Sequence, residues 1–143
     1  MIRTVRVADP VAMRDLGARI GERARPGDVI VLDGELGAGK TTLTQGLGQA
    51  LGVVEHITSP TFVIARVHQG SARSLVHVDA YRIGSPLEID DLDLPTEDVV
   101  TVVEWGGDWF PTAVLRVRID HAADEERIVV IDDRDGRWSD LGD

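Results

Sequence analysis

The chain has 143 residues, 43% of them hydrophobic, and its 25 carboxylates outnumber 15 basic residues to leave a net charge of -10. Such a length suits one domain with a real core, and the apolar fraction excludes a disordered chain. No cysteine is present, which excludes disulfides, thiolate nucleophiles and cysteine-based zinc sites, while the acidity argues against unaided binding to a nucleic-acid backbone.

No apolar run approaches the roughly 20 residues of a membrane-spanning helix, and the first residues lack the layout of a signal peptide. The expected location is therefore the cytoplasm, with no membrane partner. Of the 15 basic residues, 14 are arginine; the only lysine is Lys40.

Ile2 to Ala8 alternates apolar and polar residues and predicts a short strand. Asp9-Pro10 supplies an N-cap and a proline at the first helical position, Met13, Leu16, Ile20 and Ala24 recur at helical spacing, and Pro26-Gly27 is the stop. Asp28 to Asp33 holds the run Val29-Ile30-Val31-Leu32, the pattern of a central strand covered on both faces. Beyond a glycine-rich loop, Leu43, Leu47, Ala50 and Leu51 mark one face of a second helix, which Gly52 closes. Thr61 to His68 and Ser74 to Asp79 read as a hairpin through Gln69-Gly70-Ser71. Asp98 to Glu104 predicts another buried strand, and Ala113 to Asp120 pairs with Glu126 to Asp132 across a polar link. The polar tail from Arg134 to Asp143 is expected to fray, with Trp138 as its one anchor.

The loop itself, Gly34-Glu35-Leu36-Gly37-Ala38-Gly39-Lys40-Thr41, fits G-x-x-x-x-G-K-[ST] between a strand and a helix. Its glycines allow successive N–H groups to point into one cavity, and the helix start adds its positive end. The phosphate cradle predicted here comprises Glu35, Leu36, Gly37, Ala38, Gly39, Lys40, Thr41 and Thr42. Lys40 reaches the β- and γ-phosphates as a compact charge that arginine's broad fork cannot replace, and the Thr41 hydroxyl is placed for Mg²⁺. The elements and the loop together predict a single P-loop NTPase-like α/β domain over residues 1–143, three-layered, with a mixed sheet of six or seven strands.

A metal-bound nucleotide also needs a carboxylate at the end of an apolar strand near the loop. Two positions qualify, Asp79 after Leu75-Val76-His77-Val78 and Glu104 after Val102-Val103, and spacing does not rank them. Guanine specificity, by analogy with the GTPase family, comes with an Asn/Thr-Lys-x-Asp element; with Lys40 the sole lysine that element is absent, so ATP is favoured. Arg82 is either a cis arginine finger or a structural ion-pair partner, and Tyr81 reads as packing. The four histidines show no metal-ligand spacing. The six carboxylates between Glu88 and Asp98 make a solvated segment or a docking surface for a basic partner.

Four segments in order, the loop through Thr42, Thr58-Ser59-Pro60-Thr61-Phe62, His77-Val78-Asp79-Ala80-Tyr81-Arg82 and Val103-Glu104-Trp105, resemble the TsaE (YjeE) family of bacterial ATPases. The resemblance covers about residues 1 to 130. It implies ATP and Mg²⁺, with Thr41 and Glu104 as the metal-binding pair and Asp79 holding a metal-bound water or orienting the attacking one. It further implies Thr61 as a switch threonine that senses the γ-phosphate, Trp105 beside the nucleotide, and nucleotide contacts near Asp9-Pro10 and at Arg127. The implied role is the accessory, partner-dependent ATPase of the tRNA threonylcarbamoyladenosine modification complex, acting with the TsaD and TsaB proteins and touching tRNA only through them. A P-loop kinase and a nucleotide-gated scaffold without turnover are the rival readings of the same loop.

Overall fold

Asp9 begins the first helix as its sequence requires, its carboxylate accepting the Ala12 N–H at 2.8 Å ahead of Pro10. The structure, a computed structural model, describes residues 2–35, 37–54, 57, 65–79, 98–105 and 112–141. In chain order the elements are β1 (Ile2–Val7), α1 (Pro10–Arg23), β2 (Val29–Gly34), α2 (Lys40–Ala50), β3 (Ala65–His68), β4 (Ser74–Asp79), β5 (Val99–Glu104), β6 (Leu115–His121) and β7 (Arg127–Asp133). All seven strands join one sheet in the order β1-β7-β6-β2-β5-β4-β3. The four central strands, β6, β2, β5 and β4, run parallel, and antiparallel strands close both flanks.

The apolar runs in β2, β4 and β5 are explained by burial on both faces. Ile30, Leu32, Leu75, Val100 and Val102 pack into the core with both helices, while Val31, Val76, Val78 and Val103, pointing the other way, are buried as well. On the helical side, Met13, Leu16 and Ile20 of α1 meet Leu43 and Leu47 of α2 over Leu115, Val117 and Ile119 of β6. Each such side chain contributes about 1.5–3 kcal/mol when removed from water. Both described helices lie on this one face of the sheet.

The helices cross at backbone contact. A Cβ placed on Gly17 would stand 2.0 Å from the Leu43 carbonyl oxygen, and one on Gly46 would stand 1.9 Å from that of Arg14. Neither obstacle is a side chain that can swing away, so the crossing distance depends on glycine at both positions.

The tail departs from expectation. Residues 134–141 do not fray: Trp138 and Leu141 are fully buried. The Trp138 indole N–H donates to the Ile20 carbonyl at 3.1 Å, and Asp133 accepts the backbone N–H groups of Asp135, Gly136 and Trp138. Arg137 then makes a two-pronged pair with Asp28 at 2.8 and 2.9 Å, and Arg23 pairs with Asp140. Polar composition suggested fraying because Ile20, Asp28 and Arg23, which hold Trp138, Arg137 and Asp140, lie more than 100 residues away in sequence.

Gly17→Ala is expected to lower unfolding stability by about 1–3 kcal/mol through overpacking, although alanine is the better helix former by about 1 kcal/mol; denaturant midpoints measure it. Trp138→Ala should cost about 3–5 kcal/mol by the same measurement, whereas a frayed tail would give no change.

Candidate nucleotide-binding site

β2 ends at Gly34, and the chain turns through the loop into α2. Gly39 sits at the helix N-cap with φ 119°, a left-handed backbone that favours glycine, and no side chain caps the first N–H groups of α2. Those donors, and the positive end of the helix, are left for an anion. Among the described residues a Cβ on Gly37 would meet nothing within 4 Å, so there is open space beside the loop there.

Lys40 lies at this opening yet is only 5% exposed. Its ammonium donates to the carbonyls of Gly34 at 2.6 Å and Glu35 at 3.0 Å, and sits 4.2 Å from the centroid of the Trp105 ring. Burial pushes the Lys40 pKa below its usual 10.5, against the opposing pull of Glu104, Asp79 and Asp33. Trp105 has φ 62°, an unusual conformation for a non-glycine residue, and its N–H donates to Leu32 at 2.9 Å, extending the β2–β5 ladder by one rung. That turn carries the indole over the ammonium.

The carboxylates reach the same place through sheet register. Leu32 pairs with Glu104 and Glu104 with Asp79, so Leu32 of β2 and the last residues of β5 and β4 form one row on the helical face. The adjacent row, Ile30, Val102 and His77, holds a residue that sequence reasoning missed. His77 is fully buried, and its Nε2 lies 2.8 Å from Oε2 of Glu104, itself 3% exposed. Alternation along β4, which puts His77 on the face of Asp79, was the only local signal; the contact to Glu104 is made between strands.

Beside the loop is a cavity of about 190 Å³. Asp9, Pro10, Met13, Thr42, Glu125 and Arg127 line it together with the loop at Gly37 to Gly39. The structure therefore brings Asp9-Pro10 and Arg127, far apart in sequence, to the same opening. Arg127 also braces the loop, its Nε donating to the Ala38 carbonyl at 3.1 Å and Nη1 to Asp124 and Glu126 carbonyls. Thr41 and Thr42 lie half-buried in the first turn of α2. Leu36, Thr61, Tyr81, Arg82 and residues 88–97 fall outside the described residues.

The donor set suits a magnesium-bound polyphosphate. The uncapped helix start and open loop fit the anion, and the two strand-end carboxylates near Lys40 fit a hard cation. Among the described residues no helix is long and apolar enough to cross a membrane.

A parallel-centred sheet with a glycine-rich loop at the end of an inner strand belongs to the P-loop-like α/β class. Within that class the sequence is more specific: residues 7–129 match the family described as threonylcarbamoyl adenosine biosynthesis protein TsaE, and the chain belongs to this family. A relative from Streptomyces coelicolor, named tRNA threonylcarbamoyladenosine biosynthesis protein TsaE, is 52% identical over 89% of this chain and 94% of its own length. One of the same name from Bacillus subtilis is 37% identical over 87% of this chain and 80% of its own. One from Mycobacterium tuberculosis is 51% identical, over 64% of this chain and 61% of its own. The crystal structure of Bacillus subtilis YdiB superposes with a TM-score of 0.75 at 29% identity, covering 99% of this chain and 91% of that one.

The depressed Lys40 pKa has a testable sign. Between that value and the unfolded 10.5 the unfolded chain binds the proton and the folded one does not, so folding stability rises with pH there. The wild-type stability should climb through this window relative to Lys40→Met, measured by denaturant unfolding at stepped alkaline pH; parallel curves would contradict the burial argument.

Proposed function

We propose that this chain is a Mg²⁺-dependent ATPase that serves tRNA N6-threonylcarbamoyladenosine formation as the energy-using subunit of a complex with the TsaD and TsaB proteins, in the cytoplasm. Membership of the TsaE family supports the pathway. The observation that carries the chemistry is the convergence of Lys40, Glu104 and Asp79 at an uncapped helix start.

In this reading the amides of Glu35 to Thr42 bind the phosphates, and the base and ribose occupy the cavity between Asp9-Pro10 and Arg127. Lys40 exchanges the carbonyls of Gly34 and Glu35 for phosphate oxygens and leaves its place over Trp105. Thr41 and Glu104 would hold Mg²⁺, and Asp79 would hold a water of that ion or orient the attacking water. Mg²⁺, when bound, neutralises charge developing on the β- and γ-phosphate oxygens. Thr61 is assigned the sensing of the γ-phosphate. The net charge of -10 suits a subunit that leaves contact with tRNA to its partners.

With TsaD and TsaB present, Lys40→Ala and Glu104→Gln should each lower ATP turnover by about 100-fold or more, measured as released phosphate. Undiminished turnover in Lys40→Ala would overturn the reading, and γ-phosphate recovered on a metabolite would make the chain a kinase instead.

A further inference from the structure

Among the described residues Glu104 is held on one side only. Oε2 meets Nε2 of His77 at 2.8 Å, while Oε1 carries no hydrogen bond among the described residues. A carboxylate oxygen accepts, so Nε2 carries the imidazole proton, an assignment made from the partners. Nδ1 is buried with no hydrogen-bond partner among the described residues. A proton there would be an unsatisfied buried donor, which is costly, so the Nε2–H tautomer suits both ends of the ring. The ring itself cannot turn aside: His77 has no exposed surface and sits on β4 between buried Val76 and Val78, paired in register with Val102 of β5.

A glutamate side chain has three rotatable bonds, and at the end of a strand it can present either oxygen in several directions. The imidazole removes that freedom by fixing Oε2 from below, one row back from the strand ends. From this geometry we propose that His77 is a positioning residue, whose Nε2–H orients Glu104 so that Oε1 is presented to the divalent cation carried by the nucleotide. The inference rests on the Mg²⁺–ATP reading of the site. His77 touches neither nucleotide nor metal; it acts through Glu104, as outer partners of metal-binding carboxylates do.

The test uses the full chain and two replacements of similar reach, His77→Met without a donor and His77→Gln with an N–H near the position of Nε2. Binding of the non-hydrolysable ATP analogue AMP-PNP is followed at fixed pH while Mg²⁺ is titrated, and again in EDTA. His77→Met should raise the half-saturating Mg²⁺ concentration by about tenfold or more, with metal-free affinity unchanged, and His77→Gln should restore it to within about threefold. An unchanged midpoint in His77→Met, or an equal loss in EDTA, overturns the proposal. Wild-type binding that ignores Mg²⁺ would instead overturn the metal reading of the site, and this inference with it. If His77→Met does not fold, a midpoint displaced tenfold in His77→Gln is the overturning result. Long-range ¹⁵N–¹H spectra of the nucleotide-free protein should show the Nε2–H tautomer at His77, and the Nδ1–H tautomer would also refute it.

Discussion

The insertion of β5 between β2 and β4 is the constraint on which the rest depends. Parallel register then aligns Leu32, Glu104 and Asp79 as one row, so a strand remote in sequence delivers a carboxylate beside the loop that ends β2. The burial of β2, β4 and β5 on both faces holds that register, because a slip of one residue would turn Glu104 and Asp79 away and drive valines toward the site. The same insertion places Trp105 over Lys40 and His77 beneath Glu104.

Around that row the protein gathers opposite charges in a small volume. Lys40 gives up hydration and gains two carbonyls, an aromatic face and the field of three carboxylates. With burial the largest influence on its pKa, the ammonium is only partly compensated by its surroundings. An incoming phosphate would offer stronger partners than carbonyl oxygens do. In a protein of net charge -10 the donors for an anion are thus a helix end, loop amides and one lysine. The bracing of the loop by Arg127 ties this pocket to the β6–β7 side of the sheet, and the glycine crossing of α1 and α2 ties it to the helical layer.

Much of the fold was legible in local pattern. Pro10 after Asp9, the four-residue apolar run of β2, and the alternation in β6 and β7 all carry their structure within a few residues, and each lies where its pattern predicted. The tail did not follow its composition, since Trp138, Arg137 and Asp140 are held by Ile20, Asp28 and Arg23 across the whole chain. The loop motif was complete in sequence for the same local reason: a strand, a turn and a helix start are contiguous.

By itself the sequence determined the glycine-rich loop between strand and helix, its one lysine and the two strand-end carboxylates. Short-range geometry accounts for all three, because backbone amides, a helix end and strand-end side chains follow from neighbouring residues. Only the tertiary structure decided that Glu104 and Asp79 stand in one row, that His77 supports Glu104, and that Asp9-Pro10 shares a cavity with Arg127. Those are contacts between strands and helices distant in the chain. Strand order and register create them, and no periodicity within a single segment records which strand will be its neighbour.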